Sequence, residues 1–197
     1  VHNSLIVSML ITKRTDKIIM IDEKRIPTIT FQCRVGDEEP SEGGCPIGGE
    51  FVGKTTDELF GNKRVIVFSL PGAFTPTCST YQLPGFEENY EAIKEMGIDE
   101  VYVSSVNDSF VMNAWAKHLG IKNIKVIPDG NGELAESLGM LIDFSSKGFG
   151  MRSRRFAVVI NNGVVEKGFI EPEASKYNDD PYGETSPENV IRYIKQK

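Results

Sequence analysis

The chain has few of the residues that build metal sites and disulfide scaffolds. It carries three cysteines, Cys33, Cys45 and Cys78, and two histidines, His2 and His118. No CxxC pair occurs and neither histidine lies near a cysteine in sequence, so a zinc site is not expected. Three cysteines are also too few to hold together a domain of this size. We therefore expect no metal and no cofactor, and a reducing compartment such as the cytoplasm.

Long apolar runs and an excess of positive charge are missing as well. Residues 5–11 are apolar but much shorter than a membrane span, and they lack the flanks of a secretory signal. The formal net charge of -6 argues against a nucleic-acid or membrane partner. We assign residues 1–24 to an N-terminal extension, which is a leader, an added segment or a tail packed elsewhere. An organellar location stays open if it is a leader.

Residues 25–197 have the size and composition of one globular domain. Strand and helix patterns alternate along it, and Asn162-Gly163 indicates a hairpin near its end. This order predicts an α/β domain in which helices cover both faces of a mixed sheet, the plan of thioredoxin-like folds. The predicted strands are 26–35, 65–70, 100–106, 124–127, 156–161 and 164–170. The predicted helices are 56–60, 76–96 with a break near Pro84, 108–119 with Phe110, Val111, Ala114, Trp115 and Leu119 buried, 132–140 and 186–194.

Residues 48–55 (GGEFVGKT) match the pattern of a phosphate-binding loop. Such a loop needs a buried strand before it and a long helix after it, so that backbone N–H groups converge on phosphate. Here residues 36–49 are rich in glycine, proline and acid, and the helix that follows is one turn long. We interpret residues 36–49 as an exposed loop and predict no nucleotide site.

The residues leading into Cys78 carry the clearest chemical signal in the chain. A buried strand is predicted at 65–70, and the sequence PGAFTPT follows it at 71–77. Pro76 suits the first position of a helix, which places Cys78 in the first helical turn. Unpaired N–H groups and the helix dipole there favour thiolate over thiol. The sequence therefore predicts a reactive cysteine.

Other cysteines and arginines have weaker signals. Cys33 lies in a strand pattern and is interpreted as a small buried apolar residue. Cys45 lies in the predicted loop and is a candidate partner for oxidised Cys78. Arg152, Arg154 and Arg155 precede the predicted strand 156–161. We interpret Arg152 and Arg154 as solvated, while one of the three arginines is expected to reach Cys78.

Several segments resemble the peroxiredoxin family. Pro71-x-x-x-Thr75-x-x-Cys78 matches its active-site signature. The segments PGAFTPTCS (71–79), LPGF (83–86), SVNDSFVMNAW (105–115) and RSRRF (152–156) are similar to the type II, or peroxiredoxin 5-like, subfamily. The resemblance covers roughly residues 25–197. It implies a thioredoxin-like fold, a homodimer and thiol-dependent reduction of hydroperoxides, with Arg155 as the catalytic arginine.

The chain departs from the pattern of this subfamily at three places. Gln82 stands where many relatives have histidine, and Val103 stands where plant-type relatives have a second cysteine. No cysteine follows Cys78, so the C-terminal resolving cysteine of animal-type relatives is absent. Some bacterial relatives carry a fused glutaredoxin domain, which we do not expect in this chain.

These observations predict a peroxidase that acts through a Cys78 sulfenic acid. Thr75 and Arg155 are expected to bind sulfur and peroxide, and Pro71 to limit access of water. An external thiol is expected to recycle the cysteine, either glutathione with a separate glutaredoxin or thioredoxin. A redox sensor that passes its oxidation to a partner protein remains the alternative, since the same thiolate chemistry serves it.

Overall fold

A five-stranded sheet forms the centre of the protein. The computed structural model describes residues 21–40, 46–172 and 180–197, so Cys45 and its proposed pairing with Cys78 lie outside the described residues. The strands are β1 (Thr30–Pro40), β2 (Pro46–Thr55), β3 (Arg64–Leu70), β4 (Glu100–Ser105), β5 (Lys125–Pro128), β6 (Leu141–Asp143), β7 (Met151–Ser153), β8 (Phe156–Asn161) and β9 (Val164–Ile170). The helices are α1 (Thr56–Phe60), α2 (Leu83–Glu88), α3 (Tyr90–Glu95), α4 (Ser109–His118), α5 (Glu133–Ser137) and α6 (Pro187–Ile194).

The sheet is mixed, as the sequence predicts. Its strand order is β5-β4-β3-β8-β9, with β3, β4 and β5 parallel and β8 antiparallel to both β3 and β9. Asn162 and Gly163 join β8 to β9 with φ angles of 48° and 76°, the positive values that a tight hairpin requires. The predicted thioredoxin-like α/β architecture is confirmed.

Two apolar cores lie on opposite faces of this sheet. Within β3, Phe68 packs into a core with helices α2, α3, α4 and α6, while Val67 packs into a second core with α1 and α5. β3 is buried almost throughout, and this explains why its sequence is continuously apolar instead of alternating. The central sheet is therefore enclosed by helices on both sides.

The predicted loop at 36–49 is wrong for residues 36–40 and 46–49, which are strand, while residues 41–45 lie outside the described residues. Strand β1 continues to Pro40 and pairs with β2 as a separate antiparallel hairpin. A bulge between Val35 and Glu38 interrupts the pairing, and Gly36 there has a φ of 98°. The glycines that suggested a loop instead allow this bulged strand. The phosphate-loop match at 48–55 lies within β2, and Thr55 at its end caps α1 together with Glu58.

The helix that carries Cys78 is divided into three parts. Pro76 and Thr77 begin it, a π-helical turn follows over Cys78–Gln82, and α2 starts with Pro84 in its first turn. Gln82 and Leu83 both keep right-handed helical angles, so the chain does not leave the helix at Pro84. The irregularity near the predicted break is the π-helical turn directly before it. A break does occur at Asn89, between α2 and α3, and was not predicted.

The buried face of α4 differs from the prediction. Phe110 is 41% exposed and Ala114 is exposed, whereas Ser109, Met112 and Trp115 are buried. Phe110 instead packs edge-on against Phe51 of the β1–β2 hairpin. The buried face of α4 is therefore turned relative to the predicted one, and Phe110 makes an aromatic contact with the hairpin in place of burial in the core.

Residues before the predicted domain boundary also contact the sheet. Ile21 is buried, and the Asp22 carboxylate accepts a hydrogen bond from the N–H of Gly168 in β9 at 2.7 Å. Strands β6 and β7 were not predicted because three residues are too few for a periodic signal. None of the helices in the described residues is both long and apolar enough to span a membrane.

Candidate active site

Cys78 and Arg155 meet at one end of the central sheet. Cys78 follows the loop at the end of β3, and Arg155 immediately precedes β8. Ser69 near the end of β3 pairs with Phe156 at the start of β8, so the two segments are brought together by strand register. Nη1 of Arg155 donates to Sγ of Cys78 at 3.3 Å, and both residues are buried. A guanidinium therefore lies against a sulfur atom in the first turn of a helix.

The guanidinium of Arg155 has two further partners. Nη1 also donates to Oε1 of Gln82 at 2.5 Å, and Nη2 donates to Oδ1 of Asp180 at 2.6 Å. Burial opposes the charge of the guanidinium, but Cys78 and Asp180 outweigh this effect and raise the pKa of Arg155 above its ordinary value. Arg155 is therefore a fixed positive charge beside the sulfur.

The loop at 71–77 is shaped by hydrogen bonds from inside and outside it. The Thr75 hydroxyl donates to the carbonyl of Gly72 at 2.7 Å, and the Ala73 N–H donates to Oδ1 of Asn107 at 3.0 Å. Phe74 has a φ of 62°, which is unusual for a residue with a large side chain, and its ring is 52% exposed. Asn107 thus holds a strained turn that presents Thr75 near the start of the cysteine helix.

Arg152 also contacts this loop. Its Nη1 donates to the carbonyl of Pro71 at 3.4 Å, and its Nε donates to the carbonyl of Phe149 at 2.9 Å. Nε of Arg154 donates to the carbonyl of Glu171 at 2.9 Å. The interpretation of Arg152 and Arg154 as solvated charges is therefore corrected: both residues are half-buried, and both guanidinium groups bind backbone carbonyls.

Residues 180–185, which we call the strap, lie over Arg155. The Tyr182 ring stacks on Tyr81 with centroids 6.4 Å apart, and it lies 6.0 Å from the Arg155 guanidinium carbon. Oε1 of Glu171 accepts from the N–H groups of Gly183 and Thr185, each at 2.8 Å. The Thr185 hydroxyl accepts from Nε2 of Gln82 at 3.2 Å. The strap is thus tied both to the end of β9 and to the cysteine helix.

Cys33 is remote from Cys78. Its side chain is half-buried and packs against the core on the opposite face of the sheet from Cys78. Burial raises the pKa of Cys33, although Lys54 acts in the other direction. The prediction of a small buried apolar residue is therefore corrected to a half-buried thiol, which lies across the sheet from Cys78.

The lone tryptophan of the chain lies next to the candidate site. Nε1 of Trp115 donates to the hydroxyl of Ser79, the residue after Cys78, at 2.9 Å. A change at the sulfur that shifts the first helical turn would therefore alter the surroundings of the indole.

The arrangement suits nucleophilic attack by sulfur. A positive guanidinium and the start of a helix both stabilise negative charge on Sγ. Sequence reasoning singled out Pro71, Thr75, Cys78 and Arg155. The structure brings Arg155 into contact with Cys78, while the Thr75 hydroxyl bonds to the carbonyl of Gly72 and the carbonyl of Pro71 accepts from Arg152. Asn107 and the strap residues Asp180 and Tyr182 were missed, because only long-range packing brings them here. In the described ranges, no cluster of three or more histidine, cysteine or acidic side chains could hold a metal ion.

Comparison with known sequences identifies close relatives. A family model described as Redoxin matches residues 48–184. A peroxiredoxin of Rhizobium etli is 54% identical over 178 residues, which cover 89% of this chain and 97% of the relative. A hybrid peroxiredoxin of Haemophilus influenzae is 45% identical and covers 88% of this chain and 66% of the relative.

Solved structures give the same result. A Plasmodium falciparum antioxidant protein, described as a 1-Cys peroxiredoxin, matches with a TM-score of 0.79 and 36% identity, covering 89% of this chain and all of that one. A reduced Prx3 from Vibrio vulnificus in complex with hydrogen peroxide matches with a TM-score of 0.74 and 30% identity, covering 89% of this chain and 99% of that one.

Proposed function

The chain belongs to the peroxiredoxin family of thiol-dependent peroxidases, and we propose that Cys78 is the residue that its hydroperoxide substrate oxidises. The observation that carries this proposal is the 3.3 Å contact between Nη1 of Arg155 and Sγ of Cys78. Hydrogen peroxide and alkyl hydroperoxides are the proposed substrates.

The proposed reaction begins with a thiolate. Sγ of Cys78 attacks the terminal oxygen of the hydroperoxide in line with the O–O bond. A sulfur–oxygen bond forms, the O–O bond breaks, and the leaving oxygen takes a proton to become water or alcohol. Cys78 is left as a sulfenic acid. The negative charge moves from sulfur to the leaving oxygen during this step.

Ionisation of the cysteine alone does not account for an efficient peroxidase. A free cysteine with a pKa of about 8.5 is about 3% thiolate at pH 7, so complete ionisation gains only about thirtyfold, or about 2 kcal/mol. Groups that stabilise charge on the leaving oxygen must supply the rest. The fixed guanidinium of Arg155 is the group best placed to do so.

Thr75 and Pro71 have supporting roles in this proposal. The Thr75 hydroxyl gives its hydrogen to the carbonyl of Gly72, so its oxygen can accept the O–H of a hydroperoxide. Backbone N–H groups near Thr77 and Cys78 add donors at the start of the helix. Pro71 begins the loop beside the sulfur and is proposed to limit access of water.

An external thiol is proposed to reduce the sulfenic acid. Cys33 lies across the sheet from Cys78 and cannot reach it without disrupting the fold. One structural relative is described as a 1-Cys peroxiredoxin, and we extend that description to this chain. We propose glutathione with a separate glutaredoxin as the first reductant and thioredoxin as the second, in a reducing compartment.

Treatment with one equivalent of hydrogen peroxide tests this route. We expect mass spectrometry to find one added oxygen at Cys78, and turnover to resume when glutathione and glutaredoxin are added. Cys45→Ser should behave as the parent protein does. A disulfide between Cys45 and Cys78 that forms in the parent and is absent from this variant would contradict the proposal.

A homodimer is proposed from the exposed apolar side chains beside the site. Phe74, Phe149 and Met151 are 52%, 40% and 50% exposed. Arg152 joins them to the catalytic loop, since its guanidinium packs over Phe149 and binds the carbonyl of Pro71. Exposed large apolar side chains near a functional site are a frequent feature of interfaces between protein chains.

Phe149→Asp is expected to convert the proposed dimer to monomer, because a hydrated carboxylate, which can pair with Arg152 of its own chain, replaces an apolar ring at the contact. Sedimentation velocity at micromolar concentration measures the change. Phe51→Asp, at an exposed phenylalanine of the β1–β2 hairpin, provides the matched control and should leave the parent state unchanged. A parent protein that sediments as a monomer would contradict the proposed homodimer.

A further inference from the structure

The guanidinium of Arg155 is held by a carboxylate from outside the cysteine loop. Asp180 lies in the strap, 25 residues from Arg155 in sequence, and accepts from Nη2 at 2.6 Å. Its side chain is 38% exposed, whereas that of Arg155 is 3% exposed. The carboxylate of this ion pair is therefore partly exposed to solvent, whereas the guanidinium is buried.

The contacts of the guanidinium are divided between its two terminal nitrogens. Nη1 donates to the sulfur of Cys78 and to the amide oxygen of Gln82, while Nη2 donates to the carboxylate of Asp180. Acceptors on two nitrogens of a planar group fix both its position and its rotation. Without the carboxylate of Asp180, the guanidinium plane would have acceptors only at Nη1.

Asp180 is itself held in place. Tyr182, two residues later, stacks on Tyr81 and lies against the guanidinium. Glu171 binds the N–H groups of Gly183 and Thr185. A carboxylate on so constrained a segment is in position before substrate arrives, so its contact with Arg155 does not have to be formed during the reaction.

We propose that Asp180 is a positioning residue of the peroxidase site: it orients Arg155 toward Cys78, and its negative charge limits how strongly Arg155 stabilises the thiolate. This inference rests on the proposed roles of Cys78 and Arg155. The two effects oppose each other, since orientation favours the reaction whereas the nearby negative charge disfavours the thiolate.

Among the residues that the structure describes, five charged or titratable groups lie around the sulfur. Arg155 faces it from the start of β8, Asp180 and Tyr182 lie beyond the guanidinium on the strap, Arg152 binds the loop, and Glu171 lies behind Thr185. Burial raises the pKa of Tyr182 to about 12, so its phenol is neutral near pH 7. Within the described part of the chain, Asp180 is therefore the carboxylate in direct contact with Arg155.

Two variants separate orientation from charge. Asp180→Asn keeps an oxygen acceptor and removes the charge, while Asp180→Ala removes both. Alkylation of Cys78 by iodoacetamide as a function of pH reports ionisation without requiring peroxidase activity. Stopped-flow reaction with hydrogen peroxide, followed to the plateau at high pH, reports the rate of the fully ionised site.

The midpoint of the alkylation profile should fall by about 0.5–1 pH unit in Asp180→Asn, because a negative charge near the thiolate is lost while the guanidinium stays held. It should fall less in Asp180→Ala, because the released guanidinium also stabilises the thiolate less. The plateau rate with peroxide should stay within about threefold in Asp180→Asn and fall about tenfold in Asp180→Ala. Asp180→Glu should restore the midpoint. Glu184→Gln, an exposed charge loss in the same strap, should change neither quantity.

Unchanged midpoints and plateau rates in the Asn and Ala variants, while the parent protein reacts with peroxide, would overturn this inference alone. A parent protein that does not react with peroxide would instead overturn the proposed function. Asp180→Asn keeps the inference testable if Asp180→Ala does not fold, since the midpoint should still move in the Asn variant.

Discussion

Cys78→Ser is expected to abolish the reaction with hydroperoxides, lowering the rate constant by at least about a thousandfold. A serine hydroxyl stays protonated near neutral pH, so neither Arg155 nor the start of the helix has a charge to stabilise. The substitution replaces one small buried atom by another and should leave the fold intact.

Stopped-flow fluorescence measures this loss directly, because the indole of Trp115 binds the residue next to Cys78. The parent protein should show a fast second-order phase with hydrogen peroxide, and Cys78→Ser should not. Cys33→Ser is the matched control, and its rate should equal that of the parent. A fast phase that survives in Cys78→Ser, or disappears in Cys33→Ser, would reassign the reactive thiol.

Arg155→Met is expected to slow peroxide reduction about a hundredfold, equivalent to about 2.7 kcal/mol of transition-state stabilisation. Methionine fills a similar volume but donates no hydrogen bond to sulfur or to the leaving oxygen. It also leaves Asp180 near the thiolate without a compensating charge. The loss should therefore affect the chemical step.

A single-turnover rate with peroxide, measured beside a thermal melt, distinguishes this loss from general damage. The variant should also unfold more easily by about 1–3 kcal/mol, because the amide oxygen of Gln82 loses a buried donor. Arg64→Met is the control, since Arg64 forms a partly buried ion pair with Glu166. It should melt earlier yet react at the parent rate. If Arg155→Met reduced peroxide as fast as Arg64→Met and the parent protein do, Arg155 would have no part in the mechanism.

Local sequence signals predicted the part of the site that is continuous in the chain. A buried strand, a proline at a helix start and a cysteine two residues later define β3, the loop and the thiol without any knowledge of distant contacts. Asn162-Gly163 likewise fixed the β8–β9 hairpin. These signals succeed because each depends on the conformational preferences of neighbouring residues.

The remainder of the site depends on contacts between distant segments. Arg155 lies 77 residues from Cys78, and only the register of β3 against β8 brings them together. The segment around Asp180 (EASKYNDDPYG, 173–183) has no periodic or catalytic pattern that points to Arg155. The rotation of α4 has the same origin, because Phe110 is held by Phe51 from the separate hairpin. No local pattern encodes such pairs.

The placement of the two cores on opposite faces of the sheet has a kinetic consequence. The sheet closes one side of Cys78, so oxidant and reductant must both approach the same sulfur from the side of the loop and the strap. The two reactants then cannot occupy the site together, and each must leave before the other binds. Turnover should follow a substituted-enzyme (ping-pong) scheme. Double-reciprocal plots of rate against peroxide concentration, recorded at different thiol concentrations, should then run parallel, and excess thiol should compete with peroxide for the site.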